Sequence, residues 1–236
     1  MNHSPLRCVA LCYLCCAVIV PALAATADYN PQIDPAAFTA KIDNPFFSLP
    51  KGRKLTYEGK TAEGTERIEI AISGETRKIM GIETLVYSDI VYINGQLKEQ
   101  TRDYVAQDKD GNVWYFGEDV DNYENGKLVD HEGQWIAGVD GALPGIWLRA
   151  KHSPGDSYRM EYYKREAEDM AKIEAVSETV KVPAGTFENC TKIYEWTPLD
   201  PDSTGHKYYC AGIGALALEV ERDGSRIELI KVEDGG

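Results

Sequence analysis

From Lys51 onward the chain alternates apolar and polar residues with a period of two. Ile68, Ile70 and Ile72 alternate with Arg67, Glu69 and Ala71, and the pattern returns at Leu216, Leu218 and Val220 and at Ile227 and Leu229. A strand turns successive side chains to opposite faces, so this alternation describes strands with one face in a core and one in water. The runs are separated by Ser73-Gly74, Asn94-Gly95, Asp110-Gly111, Asn125-Gly126 and Asp223-Gly224. Asn-Gly and Asp-Gly favour tight hairpins because both residues tolerate positive φ. The chain therefore reads as all-β and antiparallel. Two segments depart from that period. Asp34-Pro35-Ala36-Ala37-Phe38 predicts one short N-terminal helix, and residues 166–175 keep a partly helical spacing. Asn44-Pro45-Phe46-Phe47 reads as an apolar clip onto the body.

The β pattern is weakly duplicated. Lys51-Gly52-Arg53-Lys54-Leu55-Thr56-Tyr57 resembles Pro154-Gly155-Asp156-Ser157-Tyr158-Arg159-Met160, and Gly81 before Leu85-Val86-Tyr87 resembles Gly185 before Thr191-Lys192-Ile193. Tyr104-Val105-Ala106 and Gly111 with Val113-Trp114-Tyr115 repeat near Tyr209-Cys210-Ala211 and Gly214, all at an offset of about 104 positions. This predicts two related meanders, residues 51–118 and 154–236, forming either one barrel-like sheet or two packed curved sheets within one compact domain. Residues 119–153 have a different composition and are expected to be an inserted loop region that lines a ligand site.

The first residues carry Arg7, an apolar stretch and then Ala22-Leu23-Ala24-Ala25. That order predicts a signal peptide over residues 1–24, cleaved after Ala24 or Ala27 and followed by a leader segment, 28–50. The apolar stretch is too short to span a bilayer, so no stable membrane insertion is expected. Cys8, Cys12, Cys15 and Cys16 would leave with it. The remaining Cys190 and Cys210 fall on consecutive predicted strands across Pro198-Leu199-Asp200-Pro201-Asp202, and in an oxidising compartment such a pair forms a disulfide. The protein is thus expected to be secreted or periplasmic. Loss of Arg7 alone leaves 24 basic against 38 acidic side chains, a formal charge of −14, which repels nucleic acid and keeps the chain soluble. Nothing in the sequence identifies a protein partner.

The string DKDGNVWYFGED over residues 108–119, with Gly138-Val139-Asp140-Gly141-Ala142, Pro144-Gly145-Ile146 and Glu166-Ala167-Glu168-Asp169-Met170-Ala171, resembles a family of exported bacterial proteins of uncharacterised function. The resemblance implies export and β structure and carries no active site with it. Val182-Pro183-Ala184-Gly185-Thr186-Phe187 also resembles the curved half-barrels of periplasmic lipoprotein carriers.

Three groups of residues suit chemistry. Asp108, Asp110 and Asn112 alternate as calcium-loop ligands do, although Gly111 and Asp119 stand where an EF-hand would need other spacing. Calcium is the one cofactor that this pattern suggests, and an Asp-Gly hairpin turn accounts for the same residues. Glu161, Glu166, Glu168 and Asp169 are close enough in sequence for one to serve as general acid and another as base, as in glycosidases. Trp114, Phe116, Trp135, Trp147, Tyr162 and Tyr163 are candidates to line a binding site; alternation puts Trp114 and Phe116 on one sheet face and Tyr115 on the other. No G-x-S-x-G elbow, phosphate loop or dinucleotide fingerprint is present. The reading that follows is an exported, non-catalytic binding protein for an apolar or amphipathic small molecule. Its alternatives are a carboxylate-dependent hydrolase of envelope or extracellular polysaccharide and a calcium-stabilised structural or adhesive module.

Overall fold

The computed structural model describes residues 29–235, so the predicted signal peptide lies outside the described residues. The leader opens with one 3-10 turn, Pro35–Ala37, capped by Asp34, whose Oδ1 accepts the Ala36 N–H at 3.1 Å. This turn stands where a helix was predicted, because Phe38 is already extended and β1 (Phe38–Thr39) begins there. Two further short strands, β2 (Asp43–Asn44) and β3 (Phe47–Ser48), form a small hairpin.

The body starts with β4 (Lys54–Thr61), β5 (Gly64–Ala71), β6 (Thr76–Ile79), β7 (Ile82–Ile93), β8 (Gln96–Asp108) and β9 (Val113–Glu124). Three short strands follow, β10 (Lys127–Asp130), β11 (Trp135–Ile136) and β12 (Leu143–Leu148). The chain ends with β13 (Ser157–Arg159), β14 (Glu161–Tyr162), β15 (Met170–Val182), β16 (Gly185–Trp196), β17 (Thr204–Cys210), β18 (Ala215–Glu221) and β19 (Arg226–Glu233). Residues 166–169 belong to the turn before β15. From there the period is two, with Ala171 and Ile173 buried and Lys172 and Glu174 exposed, which replaces the partly helical reading.

The duplication is visible in the backbone. Gly52 N–H donates to Ile72 C=O at 2.7 Å and Ile72 N–H to Arg53 C=O at 2.9 Å; Gly155 to Ile173 and Ile173 to Asp156 repeat the pair at 2.8 and 2.9 Å. Each unit runs on as a meander, β4 through β9 and then β13 through β18. Two strands stitch the units together. β12 pairs with β9 on one side and β14 on the other, while β19 pairs with β18 and with β4. Hydrogen-bonded neighbours thus run β4, β5, β7, β8, β9, β12, β14 with β13, β15, β16, β17, β18, β19 and back to β4, giving a barrel-like antiparallel sheet. The segment 119–153 is therefore mostly part of the wall: its first residues finish β9, and Leu143–Leu148 is the seam strand.

Such a ring is wider than inward side chains alone can fill, since about eight strands is the size at which they just suffice. One end is closed by the leader hairpin. Phe47 is 2% exposed and stacks on Trp147 with ring centroids 5.4 Å apart, with Tyr87 and Tyr209 at 5.8 and 5.9 Å. Polar contacts hold the hairpin in place. Gln107 Oε1 accepts the N–H groups of Asp43 and Asn44, and Asn44 Nδ2 donates to Gly111 O. Ser48 N–H donates to Gly214 C=O, and Arg53 bonds Ser48 O and Ile213 O. The predicted apolar clip is thus a plug. Cys190 and Cys210 are bonded and directly opposite in the β16–β17 register, as the sequence implies. Among the described residues no helix is long and apolar enough to cross a membrane.

Phe47→Ala is expected to cost about 3–5 kcal/mol, because it empties the centre of an aromatic cluster that cannot collapse inside a hydrogen-bonded wall. Thermal unfolding followed by circular dichroism should show Tm lower by about 10 °C. An unchanged Tm would mean that the hairpin does not support the barrel.

Candidate functional site

The end opposite the plug is open. Hairpin turns at Thr61, Ala62 and Glu63, at Asp202 and at Arg222, Asp223 and Ser225 surround a cup of about 800 Å³. The inward positions of β7 lead down from this mouth as Ile93, Val91, Asp89 and Tyr87. Their register partners continue the same levels: Glu66, Ile68 and Ile70 on β5, and Glu99, Thr101 and Asp103 on β8. Across the lumen Lys207 lies opposite Glu219 in the β17–β18 ladder, with Gly205 opposite Glu221.

Lys207 is the central cation. Its Nζ lies 2.9 Å from Glu195 Oε2 and 3.6 Å from Glu219 Oε1. Burial works against its charge, but the two carboxylates outweigh that and hold its pKa well above the usual lysine range. Below this level a small cavity of about 90 Å³ is lined by Asp89, Lys207 and Glu219 together with the rings of Tyr57, Tyr87, Trp147 and Tyr209. Asp89 Oδ1, Glu195 Oε1 and Tyr158 OH are closed off from solvent and have no hydrogen-bond partner within the protein. Burial drives the Asp89 carboxyl well above the ordinary range, and the charge of Asp103 adds to the effect.

A second acidic group lies deeper. Asp103 accepts a 2.5 Å hydrogen bond from Tyr115 OH, yet burial pushes its pKa up to about 7. Burial with the nearby Asp103 and Glu161 charges raises Glu118 to about 9, and burial with Asp169 raises Glu161 to about 8, although Trp135 Nε1 donates to Glu161 at 2.9 Å. Glu118 comes inside because of Gly117. The β8–β9 register slips between Asp103 and Val105, and Gly117 takes φ +120 at this bulge; a Cβ there would lie 2.2 Å from Trp135 O. The slip also turns Asp119 outward, where its carboxylate accepts from Arg77 and from Tyr104 OH.

The six candidate aromatics divide between the two sides of the wall. Trp114 and Phe116 share the outer face, as alternation predicts, and are covered by Phe38 of the leader at 5.8 and 5.5 Å. Tyr162 also lies against the leader, with Tyr29 at 5.7 Å and the Arg159 guanidinium 4.8 Å from its ring. Trp135 and Trp147 point inward and pack on Tyr115 at 5.3 and 4.8 Å, forming the floor. Tyr163 lines a separate crevice with Glu118 and Trp135. The candidate acids separate likewise. Glu161 is buried, Glu166 is exposed in a turn, Glu168 pairs with Arg159 at 3.7 Å, and Asp169 sits at the rim of a cavity with Glu195. At the proposed calcium loop, Asp108 Oδ1 accepts the N–H groups of Asp110 and Asn112, and Oδ2 accepts from Asn112 Nδ2 and Trp114 Nε1. Those four bonds use the lone pairs that a cation would need. Among the described residues no group of three or more His, Cys, Asp or Glu side chains is placed to hold a metal ion.

Asp89, Glu66, Glu99, Glu195, Lys207 and Glu219 are absent from the sequence-based candidates. A signal for most of them exists: Asp89 stands between Tyr87 and Val91 on the apolar parity of its strand, as Glu66 stands with Ile68, Glu195 with Ile193 and Lys207 with Tyr209, whereas Glu219 lies on the opposite parity to Leu216, Leu218 and Val220 and faces Lys207 only because the β17–β18 register slips. A charge at a core-facing position is the observation that calls for explanation.

A scan against protein-family models finds no match, and a search of curated proteins finds none, so the motif resemblance has no counterpart there. Among solved structures, a chain from Parabacteroides distasonis named "putative lipoprotein" is 14% identical, with 80% of this chain and 98% of that one covered and a TM-score of 0.41. A score at that level does not establish a shared fold.

The raised carboxyl pKa values give stability a definite pH dependence. Unfolded glutamates lose their protons near the ordinary value of 4.5, whereas Glu161 and Glu118 keep theirs up to about 8 and 9. Between those limits the folded state binds more protons, so stability falls as pH rises through the window. Glu118→Gln or Glu161→Gln is expected to add about 2 kcal/mol at pH 9, a Tm gain of about 4–8 °C, and nothing at pH 4. Melting curves of both variants across this range check it; a gain at pH 4 as large as at pH 9 would refute the assignment.

Proposed function

We propose that this protein is an exported, non-catalytic binding protein whose cup takes up an amphipathic small molecule. The observation that carries the reading is the combination of a barrel plugged at one end with a cup of about 800 Å³ at the other. Pockets of roughly 300–1,000 Å³ are the size that holds a small ligand. Its wall is mixed in character. Val91 and Ile93 offer an apolar strip, while Glu66, Glu99 and Glu221 offer polar contacts on the strands around it. The three partnerless polar atoms deeper in the barrel call for donors or acceptors that the protein itself does not supply. The Cys190–Cys210 bond supports export, since such bonds persist in oxidising compartments.

The rigid wall suits binding more than gated catalysis. Long strands β7 and β8 are hydrogen-bonded on both sides, so Glu66, Val91, Ile93 and Glu99 of the cup wall are fixed by register, while turns form its rim. Arg222 and Asp202 pair with each other across two turns of that rim.

Native mass spectrometry of the mature protein, incubated with an extract of the exporting host's envelope, should show an organic adduct that denaturation releases. Val91→Trp, which fills the mouth, should abolish the adduct without lowering Tm. A bare mass in both proteins, or an adduct that survives Val91→Trp, would overturn the reading.

A further inference from the structure

Charge is distributed inside this barrel in a way that folding does not explain. Glu66, Asp89, Glu99 and Glu221 all face the lumen, and among the described residues none of them forms an ion pair. The lumen's central ammonium, that of Lys207, is already shared by Glu195 and Glu219. At the mouth, Glu63, Asp202 and Asp223 add further acids against Lys98 and Arg222, and Arg222 is engaged by Asp202. A wall held together by its register needs none of these inward carboxylates, and their mutual repulsion inside the lumen is unfavourable.

A second observation indicates what would compensate them. Asp89 Oδ1 is closed to solvent, has no donor within the protein, and borders the cavity of about 90 Å³ whose other walls include the rings of Tyr57, Tyr87 and Trp147 and the Lys207–Glu219 pair, whose ammonium is turned to Glu195 and Glu219. That space is smaller than the ~150 Å³ that admits a benzene ring, and it suits a compact polar head. A carboxylate beside several aromatic rings is the environment that favours an ammonium group, through charge and through the negative faces of the rings. At the mouth an anion would meet Glu63, Glu66, Glu99, Asp202, Glu221 and Asp223 against Lys98 and Arg222 alone.

Resting on the binding reading above, we propose that the cup is selective for organic cations, specifically primary alkylammonium compounds. The head reaches Asp89 and the aromatic floor, and the alkyl portion lies along Val91 and Ile93. Glu66, Glu99 and Glu221 form an electrostatic funnel above it. Bound cation also removes the cost of Asp89's charge, so binding draws its proton off. Affinity therefore rises with pH, Glu221 and Glu66 contributing in the same sense because burial raises both, while Lys207 keeps its charge throughout.

The test uses the mature protein and three ten-carbon probes, decylammonium, decanol and decanoate, titrated calorimetrically at pH 7.5. Decylammonium should bind at least ten-fold more tightly than decanol, and decanoate should not bind. Asp89→Asn should weaken decylammonium at least ten-fold and leave decanol unchanged, and Glu66→Gln should weaken it several-fold. Glu83→Gln removes the same charge from the outer surface and should leave all three affinities as they are. If decanol or decanoate binds as tightly as decylammonium, cation selectivity is refuted and the binding reading survives. If Glu83→Gln weakens decylammonium as much as Asp89→Asn does, the attraction is only the net charge and the site is refuted. If no probe binds, both readings fall.

Discussion

Closure of the sheet is the constraint from which the other features follow. An antiparallel sheet with this many strands must hide its edges, and here each meander lends its last neighbour to the other, β12 to the second unit and β19 to the first. The ring so formed is too wide for inward side chains to meet at every level. Space must then be filled by something else or left open. At one end the leader fills it with Phe47 and its aromatic neighbours, and at the other the lumen remains a cup.

The same closure sets the electrostatics. Side chains that would be solvated on an open sheet face low-dielectric surroundings once the sheet curls round them, and their carboxyls hold protons more tightly. Lys207 relieves the strain at one level only. The interior resembles a prepared surface more than a core, because a core would use Leu or Ile at these positions and lose nothing in hydrogen bonding. That contrast makes the inward acids informative in a way that the abundant surface acids are not.

Much of the architecture was legible in the residues. Strand parity at Ile68, Ile70 and Ile72, the Asn94-Gly95 and Asn125-Gly126 turns with both residues at positive φ, and the opposition of Cys190 to Cys210 are all local facts, set by a period of two and by turn chemistry. The duplication was legible for the same reason, as the Gly52 and Gly155 turns make equivalent hydrogen bonds. The six candidate aromatics do not share one side of the wall: Trp135 and Trp147 face inward on Tyr115. Trp114, Phe116 and Tyr162 turned out to seat the leader, whereas the lumen wall is marked by charges that break an apolar stripe.

By itself the sequence determined that this chain makes antiparallel strands, where most of them turn, which two cysteines meet and that the pattern occurs twice, since each depends on neighbours along the chain or across one hairpin. Only the tertiary structure decided which face of every strand became the lumen. Alternation defines two faces without saying which one a closing sheet encloses, and a single bulge at Gly117 exchanges Glu118 for Asp119. The cup, its plug and its acidic lining exist only once the ring is closed.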